Sequence, residues 1–182
     1  MAAGKEVIMS SQDIERSISR LAMEIVEKNR QAEDLAIIGI HTGGVFLAQR
    51  LHRIIRENEN INLPIGSLDI TLYRDDWSLV SLNPIVKKTD ISFSVEDKVL
   101  VLVDDVIYTG RTIRAALDAV IDFGRPRMIQ LAALIDRGGR ELPIQPDFVG
   151  QQVKIGRDEQ AHVYLTEQAE MDEVVIESVG QG

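Results

Sequence analysis

The chain has 182 residues, 45% of them hydrophobic and 27% charged, with no cysteine and a formal net charge of −9. That length suits one domain whose core buries roughly 70% of the unfolded surface. Without cysteine there are neither disulfides nor thiolate metal sites, and the negative charge disfavours non-specific attraction to nucleic acid unless the basic residues cluster on one face. No apolar run approaches a transmembrane span, and the opening MAAGKEVIMSS lacks the apolar core of a signal peptide, so a cytoplasmic protein without a membrane partner is expected.

Ser10 or Ser11 is placed to cap a first helix, in which Ile14, Ile18, Leu21 and Ile25 form an apolar stripe running to about Asn29. Residues 35–40 read as a buried strand, and His41-Thr42-Gly43-Gly44 turns it into a second helix carrying Leu47, Leu51, Ile54 and Ile55. Leu68, Ile70 and Leu72 alternate as a third strand. Residues 73–89, with Trp77 and Pro84, then make a connection long enough to serve as a lid. Residues 99–103 are five apolar residues without interruption, the pattern of a parallel strand buried on both faces, and two carboxylates, Asp104 and Asp105, close the run. Beyond Thr109-Gly110-Arg111-Thr112, the spacing of Ile113, Leu117, Val120 and Ile121 predicts another helix, stopped at Gly124 and Pro126. A strand follows over 128–135, then a loop-rich stretch to 150 with three glycines and two prolines. Short strands are expected near 148–153, 162–165 and 173–177, and a disordered tail over 179–182. Strands alternating with helices imply a parallel, right-handed α/β sheet, whose ligands bind beyond the carboxyl ends of the strands.

The chemistry concentrates in residues 99–112. A Thr/Gly turn at a helix N-terminus offers backbone N–H groups, hydroxyls and the positive end of the helix dipole to an anion. Two carboxylates beside it accept from hydroxyls. A ligand with a phosphate at one end and a pair of hydroxyls a few ångströms away fits both, which is the description of a ribose 5-phosphate. A Walker-B-like strand end or an acidic metal pair is the alternative. It lacks a P-loop partner, because the best-spaced candidate, Gly39 to Gly44, continues with Val45 and Phe46 where Lys and Ser/Thr are required.

Residues 100–112 resemble the sugar-phosphate loop of the phosphoribosyltransferases. With the DITLYRDD stretch at 69–76, Gly124-Arg125-Pro126 and DRGGRELPI at 136–144, the chain is similar over about residues 7–150 to the PyrR family, pyrimidine-operon attenuation proteins that also act as uracil phosphoribosyltransferases. The resemblance implies a type I phosphoribosyltransferase fold, a central parallel sheet flanked by helices, in a single domain over 1–178. Residues 136–178 and the N-terminus would form a small hood, and the chain would assemble as a homodimer or larger homo-oligomer. It implies UMP and pyrophosphate made from uracil and phosphoribosyl pyrophosphate (PRPP), with Mg2+ bridging the pyrophosphate oxygens rather than held directly by the protein.

The same resemblance assigns the residues. Asp104 and Asp105 take the ribose hydroxyls and, with Arg74, form the catalytic set; Val106, Ile107, Tyr108, Thr109, Gly110, Arg111 and Thr112 complete the PRPP site. His41, Thr42, Gly43 and Gly44 form the pyrophosphate loop. Tyr73 and Arg74 belong to the lid, with Arg74 reaching for the pyrophosphate, and Asp136 and Arg137 read the base. Arg20 and Arg140 remain for an mRNA leader. Plain charge pairing of Arg74 with Asp75 or Asp76, a loop ion pair at Asp136 and Arg137, and an ordinary loop role for His41 are the simpler readings. Two departures stand out. Gly43 occupies a position where the family usually has arginine, so weaker pyrophosphate binding is expected. Met23, Gly139, Gln145 and Gln151 replace basic or histidine residues of the RNA face, so weaker RNA binding with a flatter salt dependence is expected. A UMP-responsive attenuator with little transferase activity, a nucleotide-sensing relative, and a transferase using a purine base are the alternatives.

Overall fold

The computed structural model describes residues 4–30, 33–75 and 87–179. Strand β1 (Lys5–Met9) leads into helix α1 (Ser11–Lys28), strand β2 (Leu35–Ile40), helix α2 (Gly43–Glu59) and strand β3 (Ile65–Leu68). Strand β4 (Val99–Ile107), helix α3 (Arg111–Ile121), strand β5 (Met128–Asp136) and strand β6 (Phe148–Gln152) follow. Strands β7 (Glu159–Tyr164) and β8 (Glu173–Ser178) complete the order.

Local chemistry explains where these elements start. Ser10 caps α1 through a reciprocal box, its hydroxyl accepting from the Asp13 N–H while Asp13 accepts from the Ser10 N–H, an arrangement that contributes about 1 kcal/mol. Its buried residues, Ile14, Ile18, Leu21 and Ile25, are the stripe read from the sequence. Asn60, in the left-handed conformation, ends α2.

The main sheet has five strands in the order β3-β2-β4-β5-β6, every pair parallel. Strand β4 lies at its centre and is covered on both sides. Val99, Val101 and Val103 pack with α1 and α2, whereas Leu100 and Leu102 pack with Ile113, Ala116 and Val120 of α3. An uninterrupted apolar run is the sequence consequence of burial on both faces. A second, antiparallel sheet of order β1-β8-β7 adds Met9, Val174 and Leu165 to the core on the α1/α2 side. Arg50 of α2 ties the turn before β8 to the body, with bonds of 2.5 Å to Asp172 and 2.6 Å to Glu167. Both carboxyls are held below their ordinary values, chiefly by those hydrogen bonds from Arg50.

Three expectations change. The third strand ends at Leu68; Thr71–Tyr73 forms a single 3-10 turn, leaving Leu72 exposed while Ile70 stays buried. Alternation of three apolar residues over so short a span does not separate a strand from a turn that buries only one of them. Strand β4 does not stop at the acids but continues to Ile107, pairing Asp104 with Ala133 and Ile107 with Asp136. Residues 148–152, placed in the hood from the sequence, form the edge strand of the main sheet, and the smaller sheet joins the N-terminal β1 to β8 and β7. Of the expected lid, residues 76–86, including Trp77 and Pro84, lie outside the described residues, as do 180–182 of the tail. No helix among the described residues is long and apolar enough to cross a membrane.

Candidate active site

The parallel strands converge on one end of the main sheet, where the loops after β2, β4 and β5 meet. The extension of β4 through the acids makes this possible. It sets Ile107 beside Asp136, and the Arg137 N–H donates to the Ile107 carbonyl at 3.1 Å, so the loop after β5 starts against the loop after β4.

The turn after β4 is shaped for an anion. Gly110 has φ of 91°, the left-handed region that favours glycine, and caps α3. The Arg111 N–H donates to Thr109 Oγ1 at 3.2 Å, and the Thr109 carbonyl accepts from the N–H groups of Glu141 and Leu142 at 2.9 and 3.1 Å. Residues 141–144 therefore brace the turn from behind. Asp104, Val106 to Thr112, Arg74 and Glu141 line one cavity of about 290 Å³. The structure thus brings together Asp104, the whole 106–112 stretch and Arg74, as read from the sequence. The Arg111 side chain itself points at carboxylates, 2.6 Å from Asp75 and 2.7 Å from Glu141, so the turn's anion affinity resides in its backbone and hydroxyls.

The acidic pair is divided between two surroundings. Asp104 is buried, at 6% exposure, with Oδ1 accepting from the Asp105 N–H at 2.9 Å. Burial first, and the neighbouring Asp105 charge second, push its carboxyl well above the ordinary range. Asp105 is half-buried and faces the turn after β2; a Cβ on Gly43 would overlap its carboxylate, and a Cβ on Gly44 would overlap the Val103 carbonyl oxygen. The 41–44 turn is therefore pressed against β4, and the two acids stand between the two loops. Its His41–Thr42 peptide is cis. His41 Nε2 donates to the Lys88 carbonyl at 3.2 Å, and Lys87 Nζ donates to Thr42 Oγ1.

At the loop after β5, Asp136 is 8% exposed and accepts from the Gly138 N–H at 3.0 Å and from Arg140 Nη2 at 2.8 Å. The Arg137 guanidinium lies 3.7 Å from the centroid of the Tyr108 ring. Gly139 packs against the same ring so closely that a Cβ there would overlap it. The resemblance expects a histidine at 139; glycine is what this packing and its φ of 76° accommodate. Tyr73 anchors the start of the long connection by donating to Asp122 Oδ2 at 2.5 Å.

The two residues read as RNA contacts are both engaged internally. Arg140 donates from Nε to the Ile144 carbonyl at 2.7 Å, from Nη1 to the Tyr108 carbonyl at 2.8 Å and from Nη2 to Asp136, with 13% of its side chain exposed. It joins the loop after β5 to the turn after β4 rather than facing outward. Arg20 pairs with Glu24 at 2.8 Å and donates to the Gly150 carbonyl at 2.6 Å, holding α1 to β6, with 47% of its side chain exposed. Sequence reasoning passed over Lys87 and the bracing role of Arg140. Neither has a local signal, since the first contact spans 45 positions and the second 32. A second cavity, of about 310 Å³ and lined by Ser11, Arg50, Arg53 and Thr166, offers little to an anion because Glu167 and Asp172 already neutralise Arg50.

The geometry of a glycine-capped turn beside a pair of acids agrees with the family comparison. Residues 6–167 match the model of the phosphoribosyl transferase domain. Among individual relatives, the chain is 53% identical to the "Bifunctional protein PyrR" of Syntrophobacter fumaroxidans over 98% of this chain and 96% of that one. It is 54% identical to the protein of the same name from a Thermoanaerobacter species, over 94% and 97% of the two chains. The chain belongs to the PyrR family of phosphoribosyltransferases. Its fold is shared with the hypoxanthine phosphoribosyltransferase of Trypanosoma cruzi solved with the product IMP, at a TM-score of 0.72 and 17% identity over 98% of this chain and 92% of that one. The parallel five-stranded sheet with helices on both faces is thus the type I phosphoribosyltransferase fold.

Proposed function

We propose that the protein transfers the phosphoribosyl group of PRPP to uracil, giving UMP and pyrophosphate. The bond from the anomeric carbon to the pyrophosphate oxygen breaks, the bond from that carbon to the uracil nitrogen forms, and the nitrogen gives up its proton. The observation that carries this reading is the placement of Asp104 in one cavity with the 106–112 turn, with Asp105 facing the 41–44 loop.

Each group has a task that follows from its place. Residues 109–112 hold the 5-phosphate by backbone N–H groups and hydroxyls. Asp104 and Asp105 accept from the two ribose hydroxyls, which fixes the sugar between the phosphate turn and the pyrophosphate loop. Burial and the adjacent Asp105 charge favour the protonated form of Asp104 in the ligand-free protein, and hydroxyl donors from the ribose would stabilise its carboxylate on binding. Residues 41–44 and Arg74 face the departing pyrophosphate, where fixed donors stabilise the negative charge as it develops. Asp136 and Arg137 stand where the base arrives. Mg2+ would arrive bound to PRPP, where it would neutralise charge on the pyrophosphate.

We further infer a cytoplasmic homo-oligomer in which 1–178 acts as one domain and Tyr73 and Arg74 begin a lid. Regulation through an mRNA leader is the second activity, favoured by the word "bifunctional" in the names of its relatives. With Arg20 and Arg140 both bonded internally, RNA affinity in this chain is expected to be weak. The test is to incubate the protein with PRPP and Mg2+ and, separately, uracil, hypoxanthine, guanine and orotate, measuring nucleotide and pyrophosphate. UMP from uracil alone is expected. IMP or GMP in place of UMP would move the assignment to a purine transferase.

A further inference from the structure

The turn that receives pyrophosphate carries no permanently charged cation of its own, for residues 41–44 read His-Thr-Gly-Gly. A side chain at position 43 would begin with a Cβ that overlaps the Asp105 carboxylate as it stands, so a cation placed there would require the Asp105 side chain to shift. A fixed positive charge for this subsite has to come from elsewhere in the chain.

The segment after the long connection brings one. Lys87 Nζ donates to Thr42 Oγ1, across 45 positions of sequence. The backbone around it is docked along the site by further bonds. The Lys87 N–H donates to the Asp69 carboxylate, the Asp69 N–H donates to Thr89 Oγ1 at 3.0 Å, and His41 Nε2 donates to the Lys88 carbonyl at 3.2 Å. Ser67 and Asp90 exchange backbone hydrogen bonds of 2.9 Å in each direction. The pairing of this ammonium differs from that of two other cations nearby. Arg111 is paired with Asp75 and Glu141, and Arg140 with Asp136, whereas Lys87 forms no ion pair among the described residues. In a chain of net charge −9, a cation bonded to a neutral hydroxyl at the mouth of an anion turn keeps its full charge for the ligand.

We propose that Lys87 is a second cation of the pyrophosphate subsite, beside Arg74, binding the leaving group of PRPP together with the Thr42 hydroxyl and the backbone of the 41–44 turn. This rests on the phosphoribosyltransferase reading and deepens it. Lysine suits the position because its ammonium is a compact point charge on a flexible stem, able to swing from Thr42 onto a phosphate oxygen while keeping three donors.

The experiment compares the parent with Lys87→Gln and Lys87→Arg. For the glutamine variant the KM for PRPP is expected to rise about tenfold, the loss of one charge-assisted contact, with the KM for uracil and the Kd for UMP unchanged. The arginine variant is expected to restore most of the loss. UMP lacks the pyrophosphate, so equal weakening of UMP and PRPP would show a structural role and overturn the proposal, as would a KM for PRPP within twofold of the parent. Calorimetric titration with magnesium pyrophosphate reads the same contact without turnover. Weaker pyrophosphate binding in Lys87→Gln supports the proposal even if the parent transfers to none of the bases, and equal binding in parent and variant overturns it.

Discussion

The proposed phosphate turn at 109–112 and the proposed pyrophosphate loop at 41–44 both follow a buried parallel strand and open a helix, yet they are built by different means. The phosphate turn is self-sufficient. Its glycine adopts a left-handed conformation, its threonine hydroxyls and N–H groups come from four consecutive residues, and a neighbouring loop braces its back. The pyrophosphate loop supplies shape but little charge, being pressed onto β4 at Gly44 and onto Asp105 at Gly43, while the ammonium on its threonine comes from Lys87. A site that holds a phosphate throughout the reaction can be made from backbone and hydroxyl groups without a charged side chain. One that must bind a more highly charged group and then release it benefits from a movable cation.

Four substitutions sharpen this contrast. Gly44→Ala places a methyl into the Val103 carbonyl, which forces backbone apart and should cost about 3 kcal/mol in denaturant unfolding. An unchanged midpoint would mean that the loop is not pressed against the strand. Asp105→Asn keeps the packing but weakens the acceptor for a ribose hydroxyl, and a fall in kcat/KM of about a hundredfold is expected. If the variant turned over as fast as the parent, the acidic pair would have no role in holding the sugar. Gly110→Ala strains a residue at φ of 91° while its Cβ finds ordinary contact with Leu142 and Ile144, so a loss of about 1–2 kcal/mol should accompany weaker phosphate binding.

Asp104→Asn is the mildest change and works in the opposite sense on stability. The folded protein holds the Asp104 proton more tightly than the unfolded chain does, because burial and Asp105 raise its pKa. That contribution to ligand-free stability is therefore lost as pH rises above the ordinary aspartate value of 3.8. At neutral pH the asparagine variant should be more stable than the parent by about 1 kcal/mol while binding UMP less well. Thermal melts of both proteins from pH 4 to 8 should diverge with rising pH; parallel curves would show that Asp104 titrates normally.

Much of this site was legible because its parts are local. The apolar run of β4, the two acids and the Thr-Gly-Arg-Thr turn are contiguous, and each carries its own physical signature. The packing of α1 was equally plain from Ile14, Ile18, Leu21 and Ile25. What escaped was set by contacts between distant segments. Nothing in the sequence around Lys87 indicates that it reaches Thr42, and Arg140 looks like a surface arginine until Asp136 and the Tyr108 carbonyl are brought to it. Strand β6 reads as one more short strand, because its residues Phe148 to Gln152 say little about which sheet receives it. The Leu68, Ile70, Leu72 alternation misled because the chain turns after Leu68 and buries only Ile70 of the remaining two.

The most direct test of the account is a titration of the uniformly 15N-labelled protein with UMP, followed by amide chemical shifts. The largest changes should fall at residues 104, 105 and 109–112, with smaller ones at 136–138, the proposed base site, and little at 41–44. Shifts centred instead on the cavity around Arg50, Arg53 and Thr166, with 109–112 unmoved, would contradict the placement of the sugar phosphate on the turn after β4.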